Sequence, residues 1–218
     1  MTAAVLIACG VRTDVAAAFA DPIAATMERF AITSFERRAG FLAQCLHESA
    51  SLSRLEEGLY YRSSALIAAT FRRLSALPSQ ELSSLVANPR GLARAAYGSM
   101  NGNRGPGTDD GWAYRGSGII QITGLRNFDR AQNDTGNPYV ANPDMVRKEP
   151  AHAALTAGLY WSWNDCNAVM DAGDFDGLSK LINLGNRRTK GVPNGNQARR
   201  DLYSRVLEVL HDLGPAAA

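Results

Sequence analysis

The chain has 218 residues, 45% of them hydrophobic and 20% charged, with a formal net charge of +2. That is globular composition, enough for one good core or two small lobes, and it excludes a polycation that binds nucleic acid without specificity. Three cysteines, Cys9, Cys45 and Cys166, are odd in number and far apart, which excludes a disulfide framework or a C-x-x-C zinc site and predicts buried free thiols.

Residues 3–9 (AAVLIAC) are apolar but much shorter than the ~20 residues a membrane span needs, and no basic region precedes them. They read as a core helix, in a chain expected to be made and first held in a cytoplasm without stable membrane insertion. Residues 14–30 carry Val15, Phe19, Ile23, Met27 and Phe30 at helical spacing. Thr33-Ser-Phe-Glu36 fits a capping box opening a helix from about Ser34 to Ala50. Further short helices are predicted over 63–75 and 79–87. From Gly98 to Gly118, seven glycines in twenty-one residues predict a long surface loop. Ile119–Thr123 (IIQIT) reads as a short β-like run. Helices resume near 125–134, 150–163 and 175–184, and from about Gln197 to Leu213. The expectation is a single mainly α domain over 1–218, with helical lobes on either side of the glycine-rich segment and a cleft between them.

The stretch FLAQCLHESASLSRLEEGLYYRS (41–63) sets carboxylates among apolar and aromatic neighbours. His47-Glu48 begins like the metalloprotease pattern H-E-x-x-H, but position 51 is serine, so that zinc site fails. The glycine-rich loop lacks the G-K-[ST] of a phosphate loop, and no G-x-S-x-G nucleophile elbow is present. Glu48 borders the apolar stripe, where lost hydration favours the protonated carboxyl that a general acid requires. Glu57 lies nine residues on. On one continuous helix that is a half-turn offset and about 13 Å of rise, so the two carboxylates would point apart. To flank one bond they need the helix to stop, and Ala50-Ser-Leu-Ser53 and Gly58 allow it. The other reading makes Glu56 and Glu57 solvated charges near Arg54 and Arg62. Tyr114-Arg-Gly-Ser-Gly-Ile-Ile-Gln-Ile-Thr-Gly124 adds Gln121 and Thr123. Two apart in an extended run, they face one side and suit a sugar hydroxyl or a water, or else only the polar face of a tight turn.

Taken together, FLAQCLHES (41–49), LEEGLYY (55–61), DGWAYRGSGIIQITG (110–124), LINLGN (181–186) and the pair Arg199 and Tyr203 resemble the plant-type chitinases of glycoside hydrolase family 19, most closely their phage endolysin branch. The resemblance implies an α-rich, lysozyme-like bilobed fold and inverting cleavage of β-1,4 links between N-acetylated amino sugars. By position it makes Glu48 the general acid, Glu57 the base and Thr123 the holder of the attacking water. Gln121, Asn127 and Asn183 match substrate-contacting polar positions, and Arg199 matches a cleft arginine that interacts with the catalytic carboxylates. Ser117 stands where arginine is common, and Leu184 replaces a usual glycine.

The expected activity is that of a peptidoglycan hydrolase of endolysin type, with no metal and no cofactor. Protonated Glu48 serves the leaving oxygen and ionised Glu57 a water, at a carboxyl separation of roughly 6.5–9.5 Å. Trp112, Tyr114, Tyr60 and Tyr61 are candidates to stack on sugar faces, or else core aromatics. The basic run Arg187, Arg188, Lys190, Arg199, Arg200 and Arg205 reads either as an attraction for anionic wall polymer or as a solvated helix face. The partner is the glycan strand, met by a monomer released from the host bacterial cytoplasm to the periplasm or wall with the help of a holin. Alternatives are a chitinase with the same residues, a lytic transglycosylase needing one carboxylate, and a non-catalytic cell-wall-binding module.

Overall fold

The computed structural model describes residues 1–214. Its helices, in chain order, are α1 (Ala3–Ala8), α2 (Thr13–Arg29), α3 (Phe35–Glu48), α4 (Ser64–Thr70), α5 (Ser79–Ser84), α6 (Pro89–Tyr97) and α7 (Asp110–Ala113). They continue with α8 (Leu125–Thr135), α9 (Asp144–Lys148), α10 (Pro150–Trp163), α11 (Cys166–Asp171), α12 (Phe175–Leu184) and α13 (Asn196–Leu213). Among the described residues the only β pairing is two isolated bridges, Glu56 with Ser117 and Ser117 with Ile122. The chain is mainly α, as expected.

The chain divides into two compact units that interleave along the sequence rather than meeting at the glycine-rich segment. Among the described residues, unit 1 takes Met1–Leu55, Gly118–Gln121 and 145–214; unit 2 takes Glu56–Ser117 and Ile122–Asp144.

Unit 1 is built around α3. From Ala39 to Leu46 every residue of that helix is buried, so its apolar stripe widens to a full circumference. A helix covered on all sides is a core helix. α13 packs along it, and α2 packs on α10. The close approach on the α10 side depends on Gly158, where a Cβ would lie 2.3 Å from the Phe30 ring. Ile119 and Ile120 are buried in the same core. The IIQIT run is therefore a buried turn, not a strand: Ser117 and Ile122 exchange backbone hydrogen bonds at 3.1 and 3.0 Å across it. A short apolar run fits either state, and here burial decides. The cysteines Cys9, Cys45 and Cys166 are all buried free thiols in this unit.

Unit 2 has its own small core of Leu59, Ile67, Leu74, Leu85, Leu92, Ala93 and Ala96. α6 packs on α7 and α4 on α5. The N-termini of α4 and α6 are capped by side chains: Ser63 accepts from the Leu66 amide at 3.3 Å and Asn88 from the Gly91 amide at 2.9 Å. The long loop begins to fold back at Gly98 and holds the four-residue helix α7. Among the described residues no helix is long and apolar enough to cross a membrane.

Candidate active site

Glu48 is the last residue of α3, and the local sequence ends the helix there. The cap that opens α3 is Ser34, whose hydroxyl accepts from the Arg37 amide at 3.2 Å; the expected cap at Thr33 is one residue early. At the other end, buried Ser49 donates to the Cys45 carbonyl at 2.6 Å and accepts from the Leu52 amide at 2.9 Å. Ala50, Ser51 and Leu52 then follow one another with φ of 48°, 56° and 64°. Left-handed conformation costs L-residues about 1–2 kcal/mol each, so this turn persists because Ser49 and the backbone bond from Arg54 to Ser49 hold it. The chain leaves the helix axis immediately after Glu48, as the two-carboxylate reading requires.

Within unit 1, Glu48 sits in a buried polar chain. Arg199 on α13, only 1% exposed, donates from Nη2 to Glu48 Oε1 at 2.5 Å, and the Glu48 side chain is 23% exposed. Arg199 Nη1 donates to Gln44 Oε1, and Arg199 Nε donates to the Asn194 carbonyl at 3.1 Å. Gln44 Nε2 donates to Ser179 Oγ at 2.8 Å, which donates in turn to the Phe175 carbonyl at 3.0 Å. Gln44, Ser179 and Arg199, the buried members of this network, are each hydrogen-bonded on both sides, which makes it a rigid positioning device. His47 lies beside it, half-buried, with its imidazole held below the usual histidine value by burial and by Arg199, against the opposing pull of Glu48. Asn183, in the last turn of α12, accepts from the Asn194 amide at 2.9 Å and so braces the segment that also receives Arg199. Leu184, at the position of the usual glycine, is exposed.

Within unit 2, Glu57 is anchored twice to one segment. Its amide donates to the Gly116 carbonyl at 3.0 Å, and its Oε2 accepts from the Gly116 amide at 3.3 Å. The Tyr97 hydroxyl at the end of α6 donates to Glu57 Oε1. Burial and the neighbouring Glu57 carboxylate push the Tyr97 hydroxyl pKa up, so it remains a donor. Glu56 is the partly solvated member of the pair and is held by Arg115, whose Nε donates to it at 2.6 Å. Ser117 is buried, its hydroxyl donating to the Arg115 carbonyl at 2.7 Å, so a small residue suits this position.

Thr123 is half-buried, and its carbonyl accepts from Asn127 Nδ2 at 2.9 Å and Asn101 Nδ2 at 3.2 Å. Gly124 makes that approach possible: its φ is +90° and a Cβ there would lie 2.3 Å from Asn101 Cβ. Among the described residues no hydrogen bond is recorded to the Thr123 hydroxyl, which leaves it available. The amide group of Asn127 is committed to Thr123. Gln121 lies in a turn and not in an extended run, so strand periodicity does not set it on one face with Thr123.

The four aromatics separate by burial. Tyr114 is 5% exposed, packs on Phe128 and donates to the Val140 carbonyl at 3.1 Å; it is a core residue, and the expectation of a sugar platform there is corrected. Trp112 has one face covered by the Arg115 guanidinium, 3.9 Å from the ring centroid. Tyr61 packs edge-on against Phe71. Tyr60, 62% exposed, keeps its ring open. Half of the basic run at 187–205 is ion-paired: Arg187 with Asp174, Arg200 with Asp176 and Arg199 with Glu48. Gln44, Ser179, Tyr97 and Arg115 are site residues that the sequence reading did not single out. Gln44 had a signal, a polar side chain one turn before Glu48 on an apolar helix; Tyr97 had none beyond the Asn88-Pro89 helix start.

No protein-family model matches the chain. A glycosyl hydrolase family 19 domain-containing protein of Haemophilus influenzae is 30% identical over 190 residues, covering 87% of this chain and 88% of that protein. An endochitinase of Arabidopsis thaliana is 35% identical over 109 residues, half of this chain and 35% of the plant protein. The fold superposes on chitinase C from Streptomyces griseus with a TM-score of 0.54 at 21% identity, covering 88% of this chain and 68% of that one. On another bacterial family 19 chitinase the TM-score is 0.53 at 20% identity, over 87% and 84% of the two chains. With a relative aligned along nearly the whole length of both proteins, the chain belongs to glycoside hydrolase family 19 and is a glycoside hydrolase.

Proposed function

We propose that this glycosidase is an endolysin-type peptidoglycan hydrolase, cleaving the β-1,4 bond between N-acetylmuramic acid and N-acetylglucosamine with inversion. Glu48 gives its proton to the leaving glycosidic oxygen. Glu57 takes a proton from a water that the Thr123 hydroxyl helps hold, and that water attacks the anomeric carbon from the opposite face. Inversion of this kind needs two carboxylates and no covalent intermediate. The observation that carries the reading is the double anchoring of Glu57 on Gly116 together with the Tyr97 hydroxyl. A solvated surface glutamate has no such restraint, and a lytic transglycosylase needs no second carboxylate. Arg199, Gln44 and Asn183 serve as positioning residues on the Glu48 side, and Tyr60 as the aromatic with a free face. Three buried free thiols accord with folding in a reducing cytoplasm before a monomeric enzyme reaches the wall through a holin-type route.

Chitin hydrolysis is the second reading, favoured by the likeness to an endochitinase over half of the chain. Mass spectrometry of products from purified peptidoglycan and from chitin, digested side by side, separates the two. Disaccharide-peptides with reducing muramic or glucosamine ends are expected from peptidoglycan. Anhydro products would establish a transglycosylase, and cleavage of chitin alone would establish a chitinase. Glu48→Gln and Glu57→Gln each abolish turnover in this mechanism, whereas a transglycosylase survives the second and a binding module is indifferent to both.

A further inference from the structure

We propose that an apolar pocket in unit 2 receives the acidic stem peptide of peptidoglycan, an inference that rests on the peptidoglycan reading above. The pocket has a volume of about 310 Å³ and is walled by Phe71, Leu74, Ala96, Tyr97 and Met100, with Arg72 and Arg73 at its edge. That volume lies at the lower end of the ~300–1,000 Å³ typical of small-ligand sites. Both arginines are exposed, and neither guanidinium bonds to another of the described residues; Arg72 is held only through its carbonyl, which accepts from the Ser75 hydroxyl at 2.7 Å. Three other arginines of the unit are paired with carboxylates: Arg90 with Asp109, Arg104 with Asp110 and Arg115 with Glu56.

An apolar floor beside two unsatisfied guanidiniums is complementary to a ligand that offers small apolar groups and carboxylates together. Guanidinium recognises carboxylate through paired, charge-assisted hydrogen bonds. The two substrates under consideration differ in this respect. A chitin strand is neutral and carries only hydroxyl and N-acetyl groups. A peptidoglycan strand carries, on the lactyl ether of each muramic residue, a peptide in which alanine methyls alternate with free carboxylates. The pocket also touches the machinery: the Tyr97 ring forms one wall while its hydroxyl donates to Glu57. An occupant thus packs against the residue that positions the second carboxylate, and selects its substrate there.

The test compares kcat/KM on intact peptidoglycan and on the same glycan after an amidase has removed its stem peptides, for the wild type and for the Arg72→Gln/Arg73→Gln double variant. The wild type is expected to prefer the intact polymer by about tenfold or more, and the double variant to bring that ratio to within about twofold of unity. The preference should also shrink with added salt, since both guanidiniums are exposed. A wild-type ratio near unity, or a preference that survives in the double variant, overturns the pocket's role while leaving peptidoglycan hydrolysis standing. Cleavage of chitin with no cleavage of either glycan overturns the peptidoglycan reading itself and the pocket's role with it. Should the double variant fail to fold, amide NMR of the full-length Glu48→Gln protein titrated with free soluble stem peptide decides. Shifts centred on Phe71, Tyr97 and Met100 are expected, and no shifts, or shifts elsewhere, overturn the proposal.

Discussion

Arg199, buried on α13, donates to Glu48 at the end of α3 over a distance of 2.5 Å, across 151 positions of sequence. The same guanidinium is held by Gln44 and by the Asn194 carbonyl. Glu48 therefore has one oxygen fixed, and its Oε2 bonds to none of the described residues, which suits the proposed role of presenting one face to substrate. Removing the buried guanidinium strands the acceptors it serves, and each buried acceptor left unpaired costs about 1–3 kcal/mol. Arg199→Ala is expected to lose stability of that order and to lower kcat about a hundredfold or more. Arg199→Lys is expected to recover part of the stability but little of the activity, since an ammonium cannot serve Glu48, Gln44 and Asn194 in the same planar geometry. Thermal unfolding and steady-state kinetics of the pair of variants check this.

On the other carboxylate, Tyr97→Phe removes one hydroxyl and nothing else. A hydrogen bond to a charged group contributes about 1.5–3 kcal/mol. The expected result is a fall in kcat of about ten- to a hundredfold with KM little changed, because Tyr97 restrains Glu57 and not the sugar. Kinetics on a soluble glycan fragment separate the two parameters.

How much of this was legible beforehand depends on the residue. α3 shows in the sequence through Phe35, Leu42, Cys45, Leu46 and Ser49 on or near one helical stripe, but Thr33 and Ser34 are both cap types. Only the extended backbone of Ser34, φ −74° and ψ 160°, selects it. Asn88-Pro89 marks the helix N-terminus of α6 in the sequence, but no local pattern singles out Tyr97 at its far end. IIQIT has the composition of a strand yet folds as a turn, because so short a run carries no information on which of its faces are buried. Tyr114 looked like a sugar platform because aromatics in a glycine-rich motif do; its burial against Phe128 is a tertiary fact. The Arg199–Glu48 pair was reached through family resemblance, since no local pattern connects residues so far apart.

The turn after Glu48 offers a stability test with opposite signs. Ser51→Gly relieves a non-glycine residue at φ 56° and is expected to leave stability unchanged or raise it by up to about 1 kcal/mol. Ser49→Ala strands the buried Leu52 amide and is expected to cost about 1–3 kcal/mol. Chemical denaturation of both variants reads the two effects, and the second should also reduce activity because the chain no longer leaves α3 along a fixed path.

His47 gives the fold a pH dependence. Burial and Arg199 lower its pKa in the folded protein below the ordinary 6.5, so the unfolded chain binds that proton more readily. Its contribution is fully present above about pH 6.5 and is lost as the pH falls through the lower folded-state value. Melting temperatures measured from pH 7.5 to 5 should decline more steeply for the wild type than for His47→Gln; equal slopes would remove His47 from the account.

The central claim is that two carboxylates, Glu48 and Glu57, carry out a single displacement by water. Proton NMR of the first reducing ends released from peptidoglycan, recorded before mutarotation, tests it most directly. The account predicts that the α-anomer appears first from the β-linked strand. A first product in the β configuration, or one closed as an anhydro sugar, would contradict it.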